Sequence, residues 1–140
     1  MNEYIITSAD AVGMFCRLQM TVKRDLPVRS SEMGVLIYIQ KQGDPVTPLM
    51  ISNFFKIAKP SVTTMVNSLI KKDYLQKTAS ATDGRSYTIS ITNKGKELVE
   101  STCNEYFRTI EVLEEKMGKE DFEIFIQLIQ KANKILGEEK

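Results

Sequence analysis

The sequence predicts a mainly α-helical fold that carries a small two- or three-stranded β-wing, with further helices at both ends of the chain. Three observations lead to this prediction. Apolar residues recur at helical spacing on both sides of the middle, polar and apolar residues alternate only between positions 75 and 91, and a turn dipeptide separates the two alternating runs. With 140 residues, of which 42% are hydrophobic, the chain can form one domain with its own core.

Composition excludes several classes of function. The chain has no histidine, which removes histidine-based acid–base catalysis and histidine-ligated zinc. Its two cysteines, Cys16 and Cys103, lie far apart without metal-ligand spacing. No apolar run approaches the ~20 residues that a membrane helix needs, and the N-terminus lacks the pattern of a signal peptide. We therefore predict a cytoplasmic protein that is not an enzyme, with no cofactor, no metal and no membrane partner.

Two helices are predicted in the N-terminal third. The first spans about Ser8 to Leu26, with apolar residues at helical spacing, and Pro27 ends it. The second follows Ser30 or Ser31, since either serine could act as its N-cap, and Gly43 begins the segment that breaks it. One face of this second helix is predicted to carry Met33, Leu36, Ile37 and Gln40.

A short helix and a tight turn come next. Thr47 can cap a helix from Pro48 to Phe55, because proline is favourable at the first helical position. The three residues that follow, Lys56, Ile57 and Ala58, are too few for anything but a turn.

The helix after this turn has the clearest pattern in the chain. Its apolar stripe is formed by Val62, Met65, Val66, Leu69 and Ile70. The other faces carry mostly short hydrogen-bonding side chains, namely Ser61, Thr63, Thr64, Asn67, Ser68 and Lys71. Short polar side chains let a helix approach base edges and phosphates in a major groove. Lys59 lies at the helix start, where backbone N–H groups can also meet a phosphate.

A β-hairpin follows this helix. Its strands are predicted at Leu75 to Ser80 and Tyr87 to Ile91, and Asp83-Gly84 supplies the turn before an arginine, Arg85, at the exposed tip. Thr92 can then cap a helix that begins at Asn93. An arginine on a rigid hairpin is suited to reach a charged partner.

The net charge of +1 is distributed unevenly along the chain. Residues 56–96 hold eight basic and two acidic side chains, whereas residues 97–140 hold six basic and eleven acidic ones. A basic middle segment beside an acidic end is typical of a protein in which one segment meets phosphates. The alternative interpretation is a lysine-rich surface that contacts only water.

The C-terminal third predicts an association surface. A heptad-like seam runs along one long helix that Gly118 closes, formed by Val99, Cys103, Tyr106, Ile110, Leu113 and Met117. A last helix from about Glu120 to Leu136 carries a second apolar stripe. These helices have more apolar surface than the small middle unit can cover, which predicts a homodimer. The alternative is a monomer in which the same helices pack within one chain.

The order of short helix, tight turn, polar-faced helix and wing is that of a winged helix-turn-helix. Residues 59–75, together with Asp83-Gly84-Arg85 and residues 91–95 (Ile-Thr-Asn-Lys-Gly), resemble the MarR family of bacterial transcription regulators. The resemblance implies one MarR-like domain over residues 1–140. Residues 1–27 and 97–140 would be dimerisation helices, and residues 30–96 would be the DNA-binding lobe.

The resemblance also implies a role for each site residue. The recognition helix would enter a major groove of double-stranded DNA through Lys59, Ser61, Thr63, Thr64, Asn67 and Lys71. Arg85 would reach a minor groove from the wing, with Asp83 supporting the loop. A homodimer would place two recognition helices about one DNA turn apart on a pseudo-palindromic operator. We expect a repressor that is relieved by a small apolar or phenolic effector.

The sequence departs from the family pattern at four positions. Lys56 and Asp73 occupy positions where the family often has glycine, so either the turns differ or some backbone strain is accepted. Ala58 replaces a frequent capping serine, and Thr64 replaces a frequently basic residue. DNA contact is therefore predicted without a prediction of which bases are read.

Two other hypotheses stay open from the sequence. Cys16 precedes Arg17 on the first helix, and a nearby cation can raise thiol reactivity, so a redox-sensing regulator of the same fold is one alternative. A winged-helix module that binds another protein and not DNA is the other.

Overall fold

The computed structural model describes residues 1–20, 26–79 and 86–138. In these parts of the chain, six helices and one hairpin follow in the order α1 (Glu3–Met20), α2 (Ser30–Gln42), α3 (Pro48–Phe55), α4 (Lys59–Lys71), β1 (Leu75–Ala79), β2 (Tyr87–Ile91), α5 (Asn93–Met117) and α6 (Lys119–Glu138). The predicted mainly α-helical fold with a small wing is confirmed.

The wing is a two-stranded antiparallel sheet. Leu75 lies opposite Ile91 at its base, and Ala79 lies opposite Tyr87 near its tip. A third strand is reduced to one residue, since Val46 and Ile89 exchange two backbone hydrogen bonds of 2.9 and 2.7 Å. This bridge attaches the wing to the chain just before α3.

Helix α1 begins five residues earlier than the sequence pattern predicted. Its start is set by Asn2, whose Oδ1 accepts a hydrogen bond of 2.8 Å from the Tyr4 N–H. Asparagine at an N-cap satisfies backbone donors that the helix itself cannot pair. The predicted start at Ser8 was wrong, because the prediction followed the apolar stripe of the helix and did not include the cap at Asn2. The predicted end near Leu26 involves residues 21–25, which lie outside the described parts.

Helix α2 differs from its prediction in its cap and in its burial. Arg29 is the N-cap, so neither Ser30 nor Ser31 has that role. The first turn is secured instead by Glu32, whose Oε1 accepts a hydrogen bond of 3.0 Å from the Arg29 N–H. Burial extends well beyond the predicted face, because Val35, Tyr38 and Ile39 are buried together with Met33 and Leu36, whereas Ile37 and Gln40 are only half-buried. Helix α2 is therefore the centre of the fold.

The turn between α3 and α4 keeps the geometry expected where glycine is common. Lys56 has φ +57°, in the left-handed region. Ser52 closes the turn from both sides, since its carbonyl accepts the Ile57 N–H at 3.2 Å and its hydroxyl donates to the Ile57 carbonyl at 2.7 Å. The left-handed turn is therefore formed without glycine.

The hydrophobic core lies between α2, α3, α4, the wing and the first part of α5. Its fully buried large side chains are Met33, Leu36, Ile51, Leu69, Leu75 and Ile89. Helix α6 contributes no buried residue in the single chain.

The wing and α5 meet at a tight joint. The Thr92 hydroxyl accepts the Gly95 N–H at 3.0 Å, which caps α5, and it donates to the Asp73 carbonyl at 2.7 Å. The Thr92 N–H donates to the Tyr74 carbonyl at 3.0 Å. Because Gly95 has no side chain, α5 packs directly against Tyr74 and Ile91, where a Cβ would collide. The end of α4, the base of the wing and the start of α5 are thereby joined.

Candidate nucleic-acid interface

Helix α4 presents one buried side and one exposed side. Val62, Val66 and Leu69 are fully buried against the core. Its N-cap is Ala58, which makes no side-chain capping bond. Pro60 has no N–H and the Ser61 N–H donates to the Ala58 carbonyl at 3.0 Å, so among the first three residues of the helix Lys59 offers its N–H to a partner outside the helix. Uncapped N–H groups at a helix start are favourable positions for a phosphate.

The six residues that the sequence assigned to DNA contact on this helix are all exposed, namely Lys59, Ser61, Thr63, Thr64, Asn67 and Lys71. The Thr63 hydroxyl donates to the Lys59 carbonyl at 3.1 Å, and the Thr64 hydroxyl donates to the Pro60 carbonyl at 3.0 Å. Because each hydroxyl proton is used within the helix, these oxygens can accept hydrogen bonds while the methyl groups offer apolar contact. Those are the properties that suit amino groups of bases and the thymine methyl group.

Two serines of the helix have different surroundings. Ser61 lies at the edge of a cavity of about 560 Å³ behind the helix, so it borders both the outer face and this cavity. Ser68, which the sequence placed on an outer face, is half-buried and hydrogen-bonds to the Glu32 carboxylate.

A cleft of about 440 Å³ separates the start of α3 from α4 and the wing. Its lining consists of Thr47, Pro48, Leu49, Lys59, Thr63, Ser86 and Tyr87. Sequence analysis identified only Lys59 and Thr63 of this set as contact residues. The others come from two more elements, and only the tertiary structure brings them beside α4. Lys77 extends the cleft's basic side, because its ammonium lies 4.3 Å from the Tyr87 ring centre.

The two residues that the sequence predicts for the wing contact have no described position. Asp83 and Arg85 both lie outside the described residues. Ser86 and β2, which follow them, are described and border the cleft. The roles of Asp83 and Arg85 therefore stay predictions from the sequence.

The heptad-like seam of α5 is divided between two environments. Val99 is only 7% exposed and belongs to the chain's own core, and Cys103 and Tyr106 pack partly against that core. Farther along, Ile110 and Met117 are exposed, at 38% and 37%. Leu113 is half-buried. The second half of the seam therefore offers the more exposed apolar surface to another chain.

Cys16 is exposed on α1. The guanidinium of the neighbouring Arg17 lies along the preceding turn, where Nη1 is 3.4 Å from the position of a Cβ on Gly13. The redox hypothesis for Cys16 stays a prediction.

Comparison with protein families identifies the middle of the chain. Residues 25–86 match the MarR family, and this segment contains α2, α3, α4 and β1. The similarity to this family therefore covers 62 of the 140 residues. The MarR-family segment, as we call residues 25–86, contains all six predicted contact residues of α4 as well as Asp83 and Arg85. Comparison with curated proteins gave no match.

Solved structures of the same fold cover nearly the whole chain. A MarR protein from Peptoclostridium difficile is 22% identical, with a TM-score of 0.80 over 99% of this chain and 91% of that one. The S. aureus MepR–DNA complex is 18% identical, with a TM-score of 0.78 over 97% of this chain and 99% of that one. A cysteine-to-serine mutant of E. coli MarR with operator DNA is 16% identical, with a TM-score of 0.78 over 92% and 95%. The MarR-family segment is thus part of a fold that includes α1, α5 and α6.

None of the helices in the described parts is both long and apolar enough to cross a membrane.

Proposed function

We propose that this chain is a sequence-specific double-stranded-DNA-binding transcription regulator, a homodimeric repressor that binds a pseudo-palindromic operator and is released by a small-molecule effector. The family match and the winged fold support a DNA-binding transcription regulator. The single observation that carries the proposal is the exposed polar face of α4 between Lys59 and Lys71, beside the wing and inside the MarR-family segment.

The outer face of α4 is suited to a major groove. Its buried side fixes the helix on the core, so the opposite side projects as a rigid element. Thr63 and Thr64 are compact and offer acceptor oxygens and methyl groups, whereas Asn67 can make a two-point contact with a base edge. Lys59 and Lys71 lie at the two ends, where their charges can meet phosphates on either side of the groove.

The cleft beside α4 adds a second region of contact. The α3 start and the wing base converge there on Lys59, so a DNA backbone that passes α4 would meet Thr47 and Tyr87 as well. Two related structures, those of S. aureus MepR and E. coli MarR, contain DNA. Their similarity in fold supports the same type of partner for this chain.

Exposed apolar side chains support the homodimer. Helix α6 leaves Leu128 59% exposed and Leu136 65% exposed, and α1 exposes several apolar residues along its length. The two helices touch through Phe15 and Phe125, whose ring centres are 5.6 Å apart. Apolar surfaces of this kind on neighbouring helices mark an interface, and a two-fold dimer is the commonest arrangement that covers such a surface.

The cavity behind α4 supports an effector site. It has a volume of about 560 Å³, within the range of small-molecule sites, and lies between α1, α2, the helix-turn-helix and α5. Phe55, Ile57 and Met65 give it an apolar lining, and Tyr106 adds a hydroxyl 3.1 Å from the position of a Cβ on Gly34. This combination suits a small apolar or phenolic compound. An occupant would touch α4 from behind and could change the distance between the two recognition helices of a dimer.

A salt titration tests DNA binding. Fluorescence anisotropy would measure the affinity of the reduced protein for the DNA upstream of its own gene at several salt concentrations. Phosphate contacts release counterions, so the affinity is expected to fall steeply with salt. Lys59→Ala and Arg85→Ala should each bind more weakly, and each variant should lower the slope of log affinity against log salt by about one if one phosphate contact is lost.

Lys116→Ala is the matched control, because it removes an exposed lysine near the far end of α5. It should bind like the wild type. Absence of binding by the wild type at every salt concentration would instead favour a winged-helix module that binds a protein partner.

A further inference from the structure

Glu32 is a buried charge on the first turn of α2. Its side chain is only 3% exposed, and burying a carboxylate is costly unless it is paired and hydrogen-bonded. Oε1 accepts the Arg29 N–H at 3.0 Å and lies 3.5 Å from Lys72 Nζ, and the Ser68 side chain forms a further hydrogen bond. The carboxylate therefore has three partners, of which one is the N-cap of α2 and two lie at the C-terminal end of α4.

These partners keep the carboxylate ionised. Burial alone raises the pKa of the Glu32 carboxyl. The hydrogen bonds from Ser68 and from the Arg29 N–H, together with the Lys72 ammonium, outweigh burial, so the net pKa lies below its usual value. The charge on Glu32 is thus present at neutral pH, where it can attract Lys72.

The partners of Glu32 lie at one end of the recognition helix. Ser68 is in the last turn of α4, and Lys72 is its C-cap. The Lys72 carbonyl in turn accepts a hydrogen bond of 2.9 Å from Lys94 Nζ, on the first turn of α5. Glu32 therefore holds the C-terminal end of α4 to α2, and Lys72 extends this connection to α5.

The N-terminal half of the recognition helix borders the cavity on one side. Ser61 and Met65, in the first half of α4, line the 560 Å³ cavity, and so do Ser30 and Gly34, on the same turns of α2 that carry Glu32. Helix α4 is thus connected to α2 at its C-terminal end, and one side of its N-terminal half faces the cavity while Val62 there is buried in the core.

We propose that Glu32 is a positioning residue for DNA recognition, which anchors the C-terminal end of α4 to α2 through Ser68 and Lys72. The inference rests on the proposed DNA-binding function. With 3% exposure, Glu32 cannot itself reach DNA, and it acts through the orientation of α4.

Glu32→Gln tests the anchor, because glutamine keeps the size and the acceptor for the Arg29 N–H but loses the attraction to Lys72. Removal of a negative charge by itself should strengthen binding to phosphates. Glu97→Gln, an exposed carboxylate on α5, is the control and should bind the same DNA equally well or slightly more tightly. Glu32→Gln is expected to bind about 10-fold more weakly with an unchanged salt slope, since loss of a positioning contact outweighs the charge effect.

Lys72→Met completes a double-mutant cycle. If Glu32 acts through Lys72, the double variant should bind about as weakly as the weaker single variant, because one connection is lost only once. Affinities are measured where circular dichroism shows every variant folded. Should Glu32→Gln not fold, the cycle of Ser68→Ala with Lys72→Met replaces it with the same expectation.

The outcomes separate the two proposals. If the wild type does not bind DNA, the proposed function fails. If the wild type binds and Glu32→Gln binds equally well or more tightly, or if the effects in the cycle are additive, the anchoring role of Glu32 is overturned while DNA binding stands.

Discussion

Two residues that are not glycine adopt the left-handed backbone conformation that glycine favours. Lys56 and Asp73 have φ of +57° and +72°, so the turn between α3 and α4 and the turn between α4 and the wing both keep left-handed geometry. A non-glycine residue in this region costs about 1 kcal/mol or more, and aspartate tolerates it better than lysine. Of the two possibilities left by the sequence, accepted strain is therefore the one that the structure shows. Contacts such as the Ser52–Ile57 pair hold the backbone there.

Gly95 gives a prediction at the same scale. Gly95→Ala should destabilise the fold by several kcal/mol, about 2 to 4, because the new methyl group would collide with the Tyr74 carbonyl oxygen and Ile91 and force α5 from the wing. Chemical denaturation with urea measures the change in the free energy of unfolding.

Gly137→Ala is the matched control on another helix, since a Cβ there meets nothing within 4 Å. Alanine has the higher helix propensity, so this variant should be neutral or slightly more stable. Equal effects of the two substitutions would contradict the close packing of α5 on the wing.

At the scale of elements, the sequence predicts a helix well when one side of the helix is buried, and less well when most of its circumference is buried. Helix α4 was located from its sequence because Val62, Val66 and Leu69 are buried on one side and polar residues cover the other. The buried face of helix α2 was predicted only in part, because a helix that is buried around most of its circumference has no continuous polar face. Its cap was also missed, since Glu32 secures the Arg29 N–H in place of a capping serine or threonine.

The cavity between these elements gives a second prediction. Met65→Trp should fill the space behind α4 and so abolish release from DNA by small phenols, while affinity for DNA without phenol stays within about 3-fold of the wild type. A panel of phenols added to the protein–DNA complex, followed by anisotropy, measures release.

Val112→Trp adds the same side chain at an exposed position on α5 outside the cavity lining. It should release DNA like the wild type. Release from the Met65→Trp complex at the same phenol concentration would exclude this cavity as the effector site.

At the scale of the whole molecule, the apolar faces of α1, α5 and α6 remain uncovered in one chain. The sequence located them by their periodicity and assigned the full seam from Val99 to Met117 to a partner. The structure divides that seam, since Val99 is used in the chain's own core and Ile110 and Met117 are exposed. Helical spacing cannot distinguish these two destinations, because a core and an interface select the same side chains.

Leu128→Glu tests the association. A buried glutamate in an apolar interface is unpaired, so the variant is expected to be monomeric at concentrations where the wild type is a dimer. Light scattering after size exclusion measures the mass. DNA affinity should fall about 100-fold or more, since two linked half-sites are replaced by one.

Gln127→Glu introduces the same charge at the neighbouring exposed position of α6 and is expected to leave the mass and the DNA affinity close to those of the wild type. A Leu128→Glu protein of unchanged mass would show that this face of α6 is not the interface.

The sequence by itself determined the order of elements, the polar face of α4, the hairpin strands and the cap of α5 by Thr92, because spacing, turn residues and caps act over a few neighbouring positions. Tertiary structure decided what depends on distant residues: the cleft shared by α3, α4 and the wing, the division of the α5 seam, and the burial of Glu32 against Lys72. Glu32 and Lys72 are 40 residues apart, and Met33 and Thr102, which join α2 to α5, are 69 apart, so no local pattern records such pairs.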